Sequence, residues 1–228
     1  MKSKLTYPTL FLIGVLLTGC GIPSVHPLYE PEDLIVNTVI TGVWSSEDEN
    51  ELFYVFSLDD LENNRINLPE NIVSNENDTT SSFTINLDEI EDELEEKKDE
   101  GPKNLYYIIH TMDDQIVDLF YAGLVQLDSQ CFIDLYKVSY NDDAFRFPTH
   151  IFTKLEIQED KLILQEFKES FVKDLIKNQQ IRIKHEYSDD NLLLTAPSED
   201  LKKFILKYGR ETDAYGEEYT YNRVKESL

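Results

Sequence analysis

Between Leu105 and Val138 the chain runs through three β-prone segments joined by very short polar turns, and this constrains the fold more than any other feature. Leu105 to Met112 (LYYIIHTM) and Ile116 to Leu127 (IVDLFYAGLVQL) flank Asp113-Asp114, and Leu127 leads through Asp128-Ser129 into Cys131 to Val138. Connections of this length can join only antiparallel neighbours, because a parallel crossover needs a dozen residues or more. Within the second segment Val117, Leu119, Tyr121, Val125 and Leu127 share one face, and Gly123 reads as a bend or bulge.

The same period continues on both sides. Gly42-Val43-Trp44 and Glu51 to Phe56 read as the first two strands. Later, Ile151, Leu155 and Ile157 alternate with Lys154, Glu156 and Gln158, and Ile181, Ile183 and Tyr187 alternate with Arg182, Lys184 and Glu186. Two stripes have helical spacing instead: Phe167, Phe171, Val172, Leu175 and Ile176, then Leu201, Phe204, Ile205 and Tyr208. The second has Ser198 as its expected N-cap, Glu199 and Asp200 in its first turn, and Lys207 and Gly209 at its end, in keeping with cap preferences and the helix dipole. The expectation is a mostly β domain, an antiparallel sheet curled into a barrel, with two or three helices; an α+β arrangement is the alternative.

Residues 59 to 104 break this pattern. The stretch is rich in Asn, Asp and Glu, and Asn75 to Ser82 reads as an exposed loop. Phe83 to Leu87 suggests a short strand, and Leu87, Ile90 and Leu94 suggest a helix ending before Gly101-Pro102, with a disordered acidic loop as the other reading. The whole is taken as an insertion between strands of a single domain spanning 41 to 228. Residues 20 to 40, with three prolines and no sustained period, read as an extended tether.

The N-terminus supplies an address. Lys2 and Lys4, the apolar run Leu10 to Leu17 and the small residues Thr18-Gly19 have the order of a secretory signal, here residues 1 to 19. The apolar run is too short to span a bilayer, which takes roughly 20 residues. Leu17-Thr18-Gly19-Cys20 resembles the bacterial lipobox, which implies cleavage before Cys20, diacylglycerol on its sulfur, and a firm hold on a membrane through two or three acyl chains. The implied location is the cell envelope. If the cell is Gram-negative, Gly21 after the cysteine resembles lipoproteins of the outer membrane, facing the periplasm; in a Gram-positive cell the same signal implies the outer face of the single membrane.

With Cys20 committed to lipid, Cys131 has no partner within the chain, so no disulfide framework supports the fold. The core must be hydrophobic, and 13 Tyr and 12 Phe supply it. Forty-five acidic against 21 basic residues give a net charge of −24, more negative still once Lys2 and Lys4 are removed. Such a surface repels phosphate backbones, which argues against nucleic-acid binding.

Gly42-x-Trp44 resembles the opening G-x-W of lipocalins and related barrels. The resemblance implies that the indole closes one barrel end, with a late basic residue, here Arg223, packed across it. A second resemblance covers more of the chain. His26-Pro27-Leu28-Tyr29, Pro31 to Leu34, Leu194-Thr195-Ala196, the helix to Tyr208 and the terminal Arg223 are similar to uncharacterised bacterial lipoproteins with an H-P-L-Y start. It implies an address and a fold, not an activity.

Signals for chemistry are sparse. His26, His110, His150 and His185 include no pair at i, i+4, and no H-E-x-x-H or Cys/His motif occurs, so no metal site or cofactor is expected. The chain has no G-x-S-x-G elbow and no phosphate-cradling glycine loop, so no catalytic residue is assigned. The reading is a non-enzymatic envelope lipoprotein whose β domain binds a ligand, such as a small apolar molecule, or a protein. The alternative is an acidic inhibitor or immunity-type protein binding a basic protein partner.

Overall fold

Alternating strands joined by tight turns can hide their edges by closing on themselves, and this chain does so. The computed structural model describes residues 21–46, 51–57, 59–60, 104–113, 115–138 and 149–224. The elements are β1 (Pro23–Ser24), β2 (Gly42–Ser45), β3 (Glu51–Ser57), β4 (Leu105–Met112), β5 (Gln115–Leu127), β6 (Gln130–Val138), β7 (His150–Ile157), β8 (Lys161–Phe167), α1 (Glu169–Lys177), β9 (His185–Ser188), β10 (Asn191–Leu194), α2 (Ser198–Tyr208) and β11 (Tyr215–Arg223). Strands β2 to β8 form an antiparallel meander, β11 returns between β8 and β2, and pairing of β6 with β7 closes an eight-stranded barrel. The fold is mostly β and lipocalin-like, as the sequence pattern leads one to expect.

The turns explain the register. Asp113, Asp128 and Asp189 take left-handed φ values of 50°, 57° and 55° at the β4–β5, β5–β6 and β9–β10 hairpins. Aspartate tolerates that region better than most non-glycine residues. Register then sorts the side chains. Trp44, Phe53, Val55, Tyr106, Ile108, Ala122, Leu124, Ile133, Leu155, Leu162, Leu164 and Tyr221 fill the barrel interior, with Ile40. On the outside, α1, α2 and β10 bury a second core with Phe132, Phe152 and Phe167. A third cluster, rich in tyrosine, lies on the outer face of β3 to β6.

Residues 21 to 40 correct the tether reading. Ile22, Leu28, Leu34 and Ile40 are all buried, and β1 pairs antiparallel with β7 and parallel with β10. The prolines keep this backbone extended, but an apolar residue every sixth position anchors it along the barrel wall. Gly123 is also not a bulge. It pairs in regular register with Leu105 and Asp134, and the irregularity lies near Val117 instead. Glycine is needed at 123 because a Cβ there would stand 2.7 Å from Tyr29 Cε1 and 2.8 Å from Leu34 Cδ2.

Three boundaries differ from the sequence pattern. Phe167 ends β8 rather than starting a helix, so its place in the stripe is a coincidence of a buried strand end. Ile181 and Ile183 precede β9, and Ile183 packs with the helices. Pro197 is the N-cap of α2, Ser198 its first residue, a shift of one position that cap chemistry alone does not resolve. The stretch expected as an insertion lies, for 61–103, outside the described residues, as does Cys20.

Candidate ligand-binding end of the barrel

The two barrel ends differ in chemistry. At the end where β2 starts and β11 finishes, the 3-10 turn Thr38–Ile40 crosses the opening. Tyr106, inside the barrel, holds this crossing: its hydroxyl accepts from Asn37 N at 2.7 Å and donates to Asn37 O at 3.2 Å. Trp44, 1% exposed, donates Nε1–H to Ile40 O at 2.8 Å. The Arg223 guanidinium lies 4.1 Å from the Trp44 ring centroid, and Arg223 and Trp44 are register partners between β11 and β2. Arg223 also donates to the carbonyls of Thr41 at 2.9 Å, Glu159 at 3.1 Å, and Val39. Gly42 has φ +131°, and a Cβ there would meet Arg223 Nη1 at 2.6 Å. The structure thus brings Gly42, Trp44 and Arg223 together as one closure. An arginine on an indole face, with its donors shared among carbonyls that would otherwise face the barrel mouth, is a strong arrangement.

The other end carries charge. Strand parity puts His110 in line with Tyr106 and Ile108, Asp118 with Phe120 and Ala122, Lys137 with Ile133 and Leu135, and Glu166 with Leu162 and Leu164, all facing inward. His110 stacks flat on Phe53 at 4.4 Å, binds Glu51 Oε1 through Nε2 at 3.0 Å, and has Nδ1 3.6 Å from Asp118 Oδ2. Lys137 pairs with Asp118 Oδ1. Burial works against a charged His110, but contacts with Asp118 and Glu51 outweigh it and raise its pKa. The hydrogen bond from His110 holds the Glu51 carboxyl below its ordinary range despite burial, and Ser46 adds to this. Inward-facing Glu51, Phe120, Leu135 and Ile151 are only half-buried, so among the described residues side chains at this end remain partly exposed to solvent.

Glu166 stands apart in this group. It is 6% exposed, and Oε2 has no hydrogen-bond partner among the described residues. Gly21 passes beside it, where a Cβ would stand 3.5 Å from Glu166 Cδ and 2.6 Å from Ile151 Cγ2. Burial pushes its carboxyl up to about 7 from 4.5. The unfolded chain therefore ionises first, and the contribution of this group falls between about pH 4.5 and pH 7 and is flat on either side. At 1.36 kcal/mol per unit this amounts to about 3 kcal/mol. Glu166→Gln should accordingly gain about 3 kcal/mol relative to the native chain as pH rises through that window. Denaturant melts across the range test this, and a constant difference between the two proteins would refute it.

The remaining candidates fall elsewhere. Cys131 is half-buried on the interior face, and burial pushes its thiol up to about 11, which leaves it a poor nucleophile. His26 is exposed, and His185 bonds Ile183 O at 2.8 Å. His150 bonds Asp134 on the outer wall, at 2.6 Å. Among the described residues no group of His, Cys, Asp and Glu is placed to hold a metal ion, and no helix is long and apolar enough to cross a membrane. Sequence reasoning missed Glu51, Asp118, Lys137 and Glu166. The signal available was parity: an acid two residues beyond Leu164 and four beyond Leu162 in an alternating strand is an inward-facing acid. Comparison with protein-family models, curated proteins and solved structures returns no match for this chain.

Proposed function

We propose that this chain is a lipid-anchored, non-enzymatic binding protein of the bacterial cell envelope, whose barrel takes a small ligand at the end remote from Arg223. The observation that carries this reading is the asymmetry of the interior. One end is sealed by Trp44 and the 34–40 crossing, while the other combines half-buried apolar side chains with Glu166 Oε2, which has no hydrogen-bond partner among the described residues, and with His110 Nδ1 and Asp118 Oδ2, which face each other at 3.6 Å, beyond hydrogen-bond distance. Apolar side chains with a few convergent polar groups among them are the usual lining of a small-molecule site. Filled structural cores rarely leave buried polar atoms unpaired.

The anchor fits this orientation. Gly21, the residue after the proposed lipid site Cys20, packs against Ile151 and Glu166 at the open end. A lipid on Cys20 would therefore hold that end close to the membrane surface, where an amphiphile could enter. The test is native mass spectrometry of the detergent-extracted chain, produced with its own signal. The expected result is a lipidated protein carrying a reproducible additional small molecule that survives gentle activation. A single mass equal to the lipidated chain would remove the carrier reading.

A further inference from the structure

The acids and bases facing the barrel interior do not balance. Asp118 is engaged by Lys137 and His110, and Glu51 by His110. Glu166 is the acid left over: it has no cationic partner among the described residues, it is more than nine-tenths buried, and its free Oε2 lies on the inward face of β8. The neighbourhood is aromatic. Tyr221, on β11 between β8 and β2, is buried in the same interior and meets Phe53 edge-on at 5.1 Å. Phe120 adds a half-buried ring on the same interior.

A buried carboxylate without a cation is costly, and a protein can relieve that cost by protonating it or by receiving a charge partner. A ligand ammonium supplies the partner together with up to three hydrogen-bond donors. Aromatic faces beside it add attraction to the cation and accept an apolar body. An anionic ligand would meet the opposite situation, since Glu51, Asp118 and Glu166 outnumber His110 and Lys137. We propose that the open end of the barrel binds a small amine whose ammonium pairs with Glu166 and whose apolar body lies against Phe53, Phe120 and Tyr221. This rests on the ligand-binding reading above and names the ligand's chemistry.

Three shape-matched probes separate the possibilities: phenethylamine, 2-phenylethanol and 3-phenylpropanoate, titrated at neutral pH into the detergent-solubilised full chain. Binding is read by ligand-observed NMR and calorimetry. The amine is expected to bind at least about tenfold more tightly than the alcohol, and the propanoate more weakly than either. Glu166→Gln, which keeps the shape of the side chain, should bring the amine down to the level of the alcohol and leave alcohol binding unchanged. Equal binding of amine and alcohol, or an amine affinity untouched by Glu166→Gln, would overturn the proposal while leaving the barrel a binder of uncharged ligands. If none of the three binds, the amine proposal falls, and the mass spectrum alone decides whether the barrel carries a ligand.

Discussion

Trp44→Ala is expected to destabilise the protein by about 3–5 kcal/mol, the usual cost of truncating a fully buried aromatic residue. For a domain of this size that corresponds to a melting temperature lower by about 10 °C. Three losses coincide at this position. The indole volume leaves a cavity among Ile40, Phe53 and their neighbours. Ile40 O loses the Nε1–H donor at 2.8 Å. The Arg223 guanidinium loses the ring beneath it, although its bonds to Thr41 and Glu159 remain. Arg223→Ala should cost less, about 2 kcal/mol, because it removes donors near solvent rather than core volume. Arg223→Lys should recover little of that, since one ammonium cannot reproduce a flat fork stacked on the ring and shared among three carbonyls. Thermal unfolding followed by circular dichroism ranks the three. A Trp44→Ala protein that melts with the native one would mean that this end of the barrel is held shut by other contacts.

Much of this closure was legible through the resemblance of Gly42-x-Trp44 to the lipocalin opening, and the geometry accounts for the residue types. A positive φ wants glycine, a large buried ring with one donor wants tryptophan, and a stacked fork wants arginine. It was the resemblance to the lipocalin opening that tied Arg223 to Gly42 and Trp44, although 178 residues separate the tryptophan from the arginine. The hairpins were legible from spacing, since Asp113 and Asp128 sit between runs too close together to be anything but antiparallel. Residues 21 to 40 were not. Their apolar residues recur every six positions, a spacing that belongs to neither helix nor strand and becomes meaningful only when a wall exists to receive them. The open end was hidden differently. Glu51, Asp118 and Glu166 are 3 of 45 acids, and composition cannot pick out the few that face inward. Strand parity can do so once a closed barrel fixes which face is inside.

The second large effect is expected at Asp134, on the outer wall rather than inside the barrel. This carboxylate is 1% exposed and has two partners: Oδ2 accepts from Leu28 N at 2.7 Å, and Oδ1 meets His150 Nδ1 at 2.6 Å. It is the polar fastening of the His-Pro-Leu-Tyr segment, whose Leu28 is fully buried and whose Tyr29 lies over Gly123. Burial, reinforced by the nearby charge of Asp134, raises the pKa of Tyr29 and keeps it neutral. Asp134→Ala would orphan a buried backbone N–H and a partly buried imidazole nitrogen at once, a loss of about 3 kcal/mol. Asp134→Asn should cost less, because its carbonyl can still accept from Leu28 and its amide can face an unprotonated Nδ1. Where the loss appears matters as much as its size. Hydrogen exchange should show early deprotection of Leu28 and Ile35 in Asp134→Ala, while β3 to β5 keep their protection. Uniform deprotection would instead mean that the segment and the barrel melt as one unit. Unchanged exchange at Leu28 would mean that Asp134 is no fastening at all. The expected outcome gives the segment a function. With residues 21 to 34 pinned to the wall, a lipid on Cys20 would mount the barrel rigidly with its open end at the membrane; with Asp134 removed, the same residues would become a loose tether.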